Sequence, residues 1–215
     1  MKKIFLVAFI ASVYMPIALA DTCEAPKLTG KEGYSTVSCL NEEGLSMVTK
    51  PGNKKTSDLY GFVNRQGKVV VPFKYAVARD FSEGLAAVCK IVGKSDQLLC
   101  GYINASGKEV IPLKFEDLPD DFVQGIAPAK QKGKWGFIDT KGKVVLPFQY
   151  DKADSFSEGL AAVVTADTDK YGYINTKGEM VIPPKYEKAF YFNEGVAAVQ
   201  ILDKWGYIDK RNQWV

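Results

Sequence analysis

The chain contains no histidine among its 215 residues. This absence excludes serine and cysteine nucleophiles activated by histidine, zinc sites with histidine ligands, and histidine as a general base. The chain also has only a small excess of charge of one sign, because it contains 28 basic and 25 acidic residues. A near-neutral chain lacks the basic surface that nucleic-acid-binding proteins use. We therefore expect no enzymatic activity, no cofactor, no metal site and no nucleic-acid partner.

Long hydrophobic runs are absent beyond the N-terminus. There, Lys2 and Lys3 precede an apolar run over residues 4–14 and the small-residue site Ala18-Leu19-Ala20. This pattern predicts a signal peptide over residues 1–20, cleaved before Asp21, since the run is too short to cross about 30 Å of hydrocarbon. Residues 21–215 are then expected to form a single domain in the bacterial periplasm or outside the cell, without membrane insertion.

A motif of an aromatic residue or cysteine, glycine, an aromatic residue, an aliphatic residue and Asn or Asp recurs along the chain. The five copies occupy residues 60–64, 100–104, 135–139, 171–175 and 205–209. In the first four, an Asn/Asp-x-x-Gly turn follows, then a β-branched apolar stretch with a proline, then Phe-x-Glu/Gln-Gly and an alanine-rich stretch. The turn predicts a hairpin with a left-handed glycine, a position that Asn212 takes in the fifth copy. The alanines predict close packing against a neighbouring layer.

The repeat predicts an all-β fold of tandem units, each with three short antiparallel strands. Such units stack because none can bury its apolar face alone. Four copies are complete, and a third strand near residues 43–48 together with the first strand at 205–209 would make a fifth unit, split between the termini. This division favours a propeller-like closed ring, which removes exposed sheet edges. An open β-solenoid is the alternative.

The pattern Lys-Trp-Gly-Tyr/Phe-Ile-Asp, x-x-Gly-Lys-Val-Val, Pro-x-Lys-Tyr and Phe-x-Glu-Gly-Leu-Ala-Ala-Val resembles the WG-repeat family, also called KWG repeats, of bacterial exported proteins. The resemblance covers about residues 41–215. The second copy departs from the family pattern, because Cys100 replaces the tryptophan and Pro128 is expected to interrupt the third strand. It implies a scaffold and brings no catalytic residues.

Four cysteines in an exported chain predict two disulfides. Cys89 ends the third strand of one copy, and Cys100 begins the first strand of the next. The equivalent positions in later copies should face each other across a hairpin. We therefore expect a Cys89–Cys100 bridge, which leaves Cys23–Cys39 to fasten the N-terminal segment.

The carboxylates of the chain have two alternative functional roles, as a catalytic pair and as calcium ligands. Glu83, Glu158 and Glu194 recur beside a glycine, which favours a turn or capping role. Asp120 and Asp121 break the repeat, but their spacing is not that of an EF-hand loop, which favours solvated loop carboxylates.

Two long connections, over residues 49–59 and 89–99, interrupt the array on one edge, and such insertions often mark a binding face. We expect a non-enzymatic exported protein that recognises a protein partner, for example a periplasmic immunity protein against a secreted toxin. The alternative is a carbohydrate or cell-wall binding module, which requires residues such as Trp135 and Trp205 to face solvent. The candidate partner contacts are Lys54, Lys55, Asp58, Lys94, Asp96, Asp120 and Asp121.

Overall fold

The computed structural model describes residues 23–52, 57–93 and 97–215. These residues form an all-β structure of eighteen strands in five small antiparallel sheets and contain no helix. None of them therefore forms a helix that could cross a bilayer. The predicted signal peptide, residues 1–20, lies outside the described residues.

The five sheets follow one another along the chain, and each is built from consecutive strands. Sheet 1 contains β1 (Thr36–Val37), β2 (Leu45–Lys50), β3 (Leu59–Asn64) and β4 (Val69–Tyr75). Sheet 2 contains β5 (Val77–Ser82), β6 (Leu85–Val92), β7 (Gln97–Asn104) and β8 (Glu109–Phe115). Sheet 3 contains β9 (Ile126–Gln131), β10 (Lys134–Asp139) and β11 (Val144–Tyr150). The expected interruption at Pro128 is wrong, because Pro128 lies within β9 and faces Phe137 of β10. Sheet 4 contains β12 (Lys152–Ala153), β13 (Leu160–Val164), β14 (Tyr171–Asn175) and β15 (Met180–Tyr186), and sheet 5 contains β16 (Lys188–Ala189), β17 (Val196–Ile201) and β18 (Lys204–Asp209).

Each sheet combines strands from two consecutive copies of the sequence motif. The strand after each Glu-Gly or Gln-Gly turn pairs with the first strand of the following copy, as β13 pairs with β14. Short connections favour pairing between strands that are adjacent in the chain. As a result, β2 completes sheet 1 with β3, and β18 belongs to sheet 5 with β17. The predicted unit split between the termini is therefore wrong, because no sheet of the described residues contains strands from both ends.

The hairpin between the first and second strands has the predicted turn. In the third copy, Gly142 is left-handed (φ 76°) and its N–H donates to the carbonyl oxygen of Asp139 at 2.8 Å. The Asp139 carboxylate also accepts the N–H of Lys141 at 2.9 Å. In the fifth copy Asn212 adopts the left-handed conformation (φ 65°), as expected from its position.

A bulge in the second strand explains the glycine of the recurring motif. The pairing of β14 with β15 shifts register on both sides of Tyr173. The extra residues of β15 bring its backbone against Gly172, where a Cβ would lie 2.6 Å from the carbonyl oxygen of Ile182 and 2.9 Å from the nitrogen of Pro184. Glycine in a strand often permits this kind of backbone approach. In sheets 1 to 4 the motif therefore requires glycine because the second strand packs closely against it.

The apolar core lies between consecutive sheets. Four buried clusters correspond to the four interfaces between the five sheets, and each contains alanines of a third strand. At the interface of sheets 4 and 5, for example, Ala197 and Val199 pack with Tyr173 and Ile182. The predicted packing of the alanines against a neighbouring layer is confirmed.

The recurring phenylalanine of each copy lies beside the third strand of the following sheet and packs on the central aromatic of the preceding sheet. The ring centroids of the four pairs are 4.7–4.9 Å apart. Aromatic pairs in this geometry contribute about 0.5–1.5 kcal/mol beyond the burial of their surface. These phenylalanines therefore join the sheets into one array. The pairs are Phe62–Phe81, Tyr102–Phe122, Phe137–Phe156 and Tyr173–Phe192.

Both predicted disulfides are confirmed. Cys89 faces Cys100 directly in the pairing of β6 with β7, and the two form a bridge. Cys23 is bonded to Cys39 in the N-terminal segment. Disulfides persist in oxidising compartments, so both bridges are compatible with an extracellular or periplasmic protein.

Candidate functional site

The two residues before each recurring phenylalanine change from copy to copy while their surroundings repeat. They lie in the segment that runs beside the third strand at one edge of each sheet. In sheet 4, for example, the Asp154 N–H donates to the carbonyl oxygen of Ala162 at 3.0 Å. We call the set the variable-pair row. It consists of Arg79-Asp80, Asp120-Asp121, Asp154-Ser155 and Phe190-Tyr191.

Side chains of the row contact one another from sheet to sheet. The Arg79 guanidinium lies 2.7 Å from one carboxylate oxygen of Asp120, and the Ser155 hydroxyl donates to the other oxygen at 2.9 Å. Asp80 accepts the side-chain amide of Asn41 at 2.6 Å. The row is thus continuous from sheet 2 to sheet 4, and Asn41, which precedes β2, connects its first pair to the edge of sheet 1.

Two tyrosines of the sheets hold the backbone of the row. The Tyr102 hydroxyl donates to the carbonyl oxygen of Asp120 at 2.7 Å, and the Tyr173 hydroxyl donates to that of Phe190 at 2.9 Å. Burial raises the pKa of both phenols, so both stay protonated donors at neutral pH. The scaffold therefore fixes the positions from which the variable side chains project.

The C-terminal end of the row opens into a cleft of about 630 Å³. Asp120, Asp154 and Ser155 line one part of it, and Phe190 and Tyr191 line another. The two aromatic residues are 53% and 61% exposed, although the phenylalanine that follows them is fully buried. Volumes of this order are typical of ligand sites. The cleft therefore combines carboxylate, hydroxyl and aromatic groups that the packing of the fold leaves accessible.

Carboxylates crowd the row and the cleft. Desolvation raises the pKa of Asp121, and Asp120 and Asp80 raise it further against the opposing effect of Arg79. Desolvation also raises the pKa of Asp154, with a contribution from Asp120 and an opposing one from Lys152. The described residues contain no group of three acidic, cysteine or histidine side chains placed to hold a metal ion. Desolvation, with a contribution from neighbouring carboxylates, therefore disfavours the charged forms of Asp121 and Asp154 in the folded protein.

Replacing Asp154 by asparagine is expected to stabilise the protein at neutral pH. Because its folded-state pKa is raised, the folded protein binds more protons than the unfolded chain, and its stability falls as the pH rises from the unfolded pKa of about 3.9 through the folded pKa. Asparagine removes this loss. The melting temperature of Asp154→Asn at pH 7 should exceed that of the wild type, and the difference should disappear below about pH 3.

Thermal unfolding followed by circular dichroism measures this effect. Asp117→Asn is the matched control, because that exposed carboxylate lies 3.9 Å from the Lys130 ammonium and outside the cleft. It should show no gain at pH 7. A melting temperature of Asp154→Asn below that of the wild type at pH 7 would contradict the prediction.

The recurring glutamates have a structural position. Glu158 is left-handed (φ 50°) and, with Gly159, forms the two-residue turn of a hairpin in which Ser157 pairs with Leu160. Its carboxylate accepts the N–H of Gly195 in the next sheet at 3.1 Å. Glu83 binds the equivalent Gly125 N–H at 2.9 Å. These carboxylates tie neighbouring turns together, which agrees with the expected turn role.

The structure separates the predicted partner contacts. Asp120 and Asp121 lie in the variable-pair row. Asp58 lies at the base of the first long hairpin, where its carboxylate accepts the N–H of Gly52 at 3.1 Å. Within the described ranges, no hydrogen bond or ion pair joins Asp58 to the row. The other four predicted contacts, Lys54, Lys55, Lys94 and Asp96, lie outside the described residues.

The sequence did not indicate six residues of the row. These residues form three pairs at the same position as the predicted pair Asp120-Asp121, namely Arg79-Asp80, Asp154-Ser155 and Phe190-Tyr191. An alignment of the copies on the recurring phenylalanine would have shown these as variable positions. Without the sheet order, however, nothing indicates that they share one edge of the array.

The tryptophan positions are not equivalent in exposure. Trp135 is partly buried against a core cluster, whereas Trp205 is 52% exposed. Tyr60 and Tyr171 are partly buried, and Cys100 is fully buried. A carbohydrate-binding surface built from this position in every copy is therefore absent, and Trp205 alone of the five meets the requirement of exposure.

Known structures share the architecture. The chain resembles a eukaryotic initiation factor with 9% identity and a TM-score of 0.58, which covers 85% of this chain and 54% of that one. It also resembles Kluyveromyces lactis Hsv2 with 13% identity and a TM-score of 0.50, covering 84% of this chain and 62% of that one. The chain thus spans about half the length of the first structure. At these identities the likeness shows only the fold, which is β-propeller-like.

The sequence comparison is more specific. No curated protein matches the chain. A family model described as the WG containing repeat matches residues 60–90, 101–135, 135–167 and 171–205. These stretches include most of the chain and contain the glycine, turn and phenylalanine positions described above. The chain therefore belongs to the WG-repeat family.

Proposed function

We propose that this protein is a non-enzymatic exported binding protein that recognises a protein partner through the variable-pair row and its cleft. The observation that carries the proposal is the variation of paired side chains at one edge of a scaffold that otherwise repeats. Repeat proteins commonly bind through such surfaces, because the stacked units hold side chains at regular spacing. The proposal moves the partner surface from the long-loop edge to the row, with Asp120 and Asp121 as the contacts shared by both.

The charge of the row indicates the nature of the partner. Four carboxylates and one guanidinium lie in it, although the whole chain has a formal net charge of +3. Complementary charge steers association and selects partners. A partner with a basic surface is therefore favoured, in the periplasm or outside the cell. A toxin delivered to the periplasm is one such partner, which would make this chain its immunity protein.

Capture from an envelope extract of the native bacterium tests the proposal. The wild type and Tyr207→Ser should retain the same protein partner, and Tyr191→Ser should lose most of it. Tyr207 is the matched control, because it is 57% exposed in the same sheet and does not line the cleft. The proposal would be wrong if Tyr191→Ser retained every captured protein, or if only isolated glycans bound.

A carbohydrate or cell-wall ligand is the second candidate. The observation in its favour is the exposed aromatic group at the end of the array, where the rings of Phe190 and Trp205 lie 5.6 Å apart. Exposed aromatics beside carboxylates suit sugar stacking and hydroxyl binding. Co-sedimentation with peptidoglycan should then be lost in Trp205→Ala and retained in Trp135→Ala. Equal sedimentation of both variants would exclude this candidate.

We also propose that the array is open, in place of the closed ring that the sequence favours. The turns at Gly107, Gly142 and Gly178 pack on an apolar residue of the preceding sheet, whereas the turn at Gly67 packs on Lys27 and Leu28 of the N-terminal segment. Tyr207 is more than half exposed, although its four counterparts are buried. Acrylamide should therefore quench the fluorescence of Trp205 more strongly than that of Trp135 in single-tryptophan variants. Equal protection of both tryptophans would favour the ring.

A further inference from the structure

We propose that the cleft at the C-terminal end of the variable-pair row binds a basic side chain, of arginine or lysine, supplied by the protein partner. This inference rests on the proposed function and specifies the chemistry of its contact.

Asp154 is the accessible carboxylate of the cleft. Asp120 is already engaged, since it accepts the Ser155 hydroxyl and pairs with the Arg79 guanidinium. Asp154 has no ion-pair partner within the described ranges and is exposed on the cleft wall. A cation that binds between these two carboxylates would reduce their mutual repulsion. The acidic wall therefore gains most from a ligand with positive charge.

The aromatic walls suit the same ligand. Phe190 and Tyr191 present more than half of their surface to solvent. A guanidinium or ammonium is attracted to an aromatic face, more strongly when the pair is desolvated. This chain already places lysines in this way at the cleft. The Lys152 ammonium lies 5.5 Å from the ring centroid of Tyr171, which lines the cleft, and the ammonium of Lys188, another lining residue, lies 5.9 Å from the ring centroid of Trp205. A basic side chain with its aliphatic stem along the rings therefore fits both walls.

Other ligand classes fit the walls less well. An anion would meet Asp120 and Asp154. Of the cations at the cleft, Arg79 is paired with Asp120, and the Lys188 ammonium, which lines the cleft, lies over the Trp205 ring. An apolar side chain would desolvate the Asp154 carboxylate without giving it a partner, which costs free energy. A neutral sugar could stack on the rings but would leave the repulsion between the carboxylates in place. The charge of the ligand is thus the property that the cleft selects.

Calorimetric titration with defined peptides tests the inference on the purified protein. The probe is an acetylated, amidated Gly-Arg-Gly-Arg-Gly peptide, and its matched control carries citrulline in place of arginine. Citrulline keeps the shape of arginine and lacks its charge. We expect the arginine peptide to bind at least about tenfold more tightly than the citrulline peptide at low salt, and added salt should reduce the difference.

The variants locate the binding. Asp154→Asn should weaken binding of the arginine peptide by about tenfold, whereas Asp117→Asn should change it less than about twofold. Tyr191→Ser should weaken it by about fivefold, whereas Tyr207→Ser should have no effect. Because Asp154→Asn is expected to raise the melting temperature, loss of binding in that variant would not result from unfolding.

The outcomes separate this inference from the proposed function. Equal affinity for the two peptides, or an unchanged affinity in Asp154→Asn, would overturn the basic ligand. Binding of chitotetraose that is lost in Tyr191→Ser would overturn it in favour of a sugar. Capture of a protein partner that is lost in Tyr191→Ser but kept in Asp154→Asn would leave the proposed function in place and refute the inference alone.

Discussion

Replacing Gly172 by alanine should destabilise the protein by about 3 kcal/mol or more and lower its melting temperature by roughly 6–12 °C. The added Cβ would lie 2.6 Å from the carbonyl oxygen of Ile182 and 2.9 Å from the nitrogen of Pro184. Both are backbone atoms of the bulged second strand and cannot move aside as a flexible side chain can. The strand must therefore shift as a whole, which disturbs its pairing and the adjoining core. Thermal and urea unfolding measure the loss.

Gly125 provides the matched control for this substitution. It is left-handed (φ 76°), and a Cβ there would meet no atom within 4 Å. Alanine at that position should cost only the backbone strain, about 1 kcal/mol. An equal or smaller loss in Gly172→Ala would show that the glycine of the motif is not required by the close approach of the second strand.

Replacing Phe192 by alanine should destabilise the protein by about 3–5 kcal/mol. The side chain is fully buried, and its ring centroid lies 4.9 Å from that of Tyr173. It joins sheet 5 to sheet 4, so its removal leaves a cavity at the interface and exposes the face of Tyr173. Urea unfolding should give a lower midpoint, and hydrogen exchange should increase most in β17 and β18.

Phe190 tests whether position, rather than residue type, decides this effect. It is 53% exposed only two residues earlier in the chain. Its contact with Tyr173 uses the backbone carbonyl oxygen, which alanine retains. Phe190→Ala should therefore change the free energy of unfolding by less than about 1 kcal/mol while weakening binding in the cleft. Similar losses of stability in the two variants would contradict the assignment of Phe192 as the joining residue.

These expected results separate two roles within one short segment. Phe192 belongs to the repeating scaffold, and its counterparts in other copies make the same contact. Phe190 and Tyr191 belong to the variable-pair row and contribute little to packing. A binding surface can vary here because the stability of each interface depends on the neighbouring constant residues.

The disulfide at Cys89 and Cys100 shows where the sequence was sufficient. The positions of these residues relative to the recurring glycine placed them opposite each other across a hairpin, and the structure pairs them there. The left-handed Asn212 was predictable for the same reason. Both conclusions depend on local geometry, which the repeat displays five times.

The phase of the sheets shows where the sequence was insufficient. The repeating sequence is compatible with a unit that begins at any of its three strands. A unit that begins at the glycine motif leaves one unit split between the termini. Pairing through β13 and β14, and through β17 and β18, decided otherwise. The proposed openness of the array follows from the exposure of Tyr207 and the burial of its four counterparts, a difference that no single copy encodes.

The sequence by itself determined the recurring strands, their turns, the disulfides and the family, because each depends on contacts between neighbours along the chain. The prediction of three strands per unit was wrong for sheets 1, 2 and 4, where a further strand pairs at the edge. Only the tertiary structure brought Arg79, Asp120, Asp154 and Tyr191 to one edge of the array. These residues lie in four different copies, and their proximity depends on how the sheets stack and on which face each segment turns toward the next. A repeating sequence specifies the unit and its closest contacts, and the relation between distant units arises only when all interfaces form together.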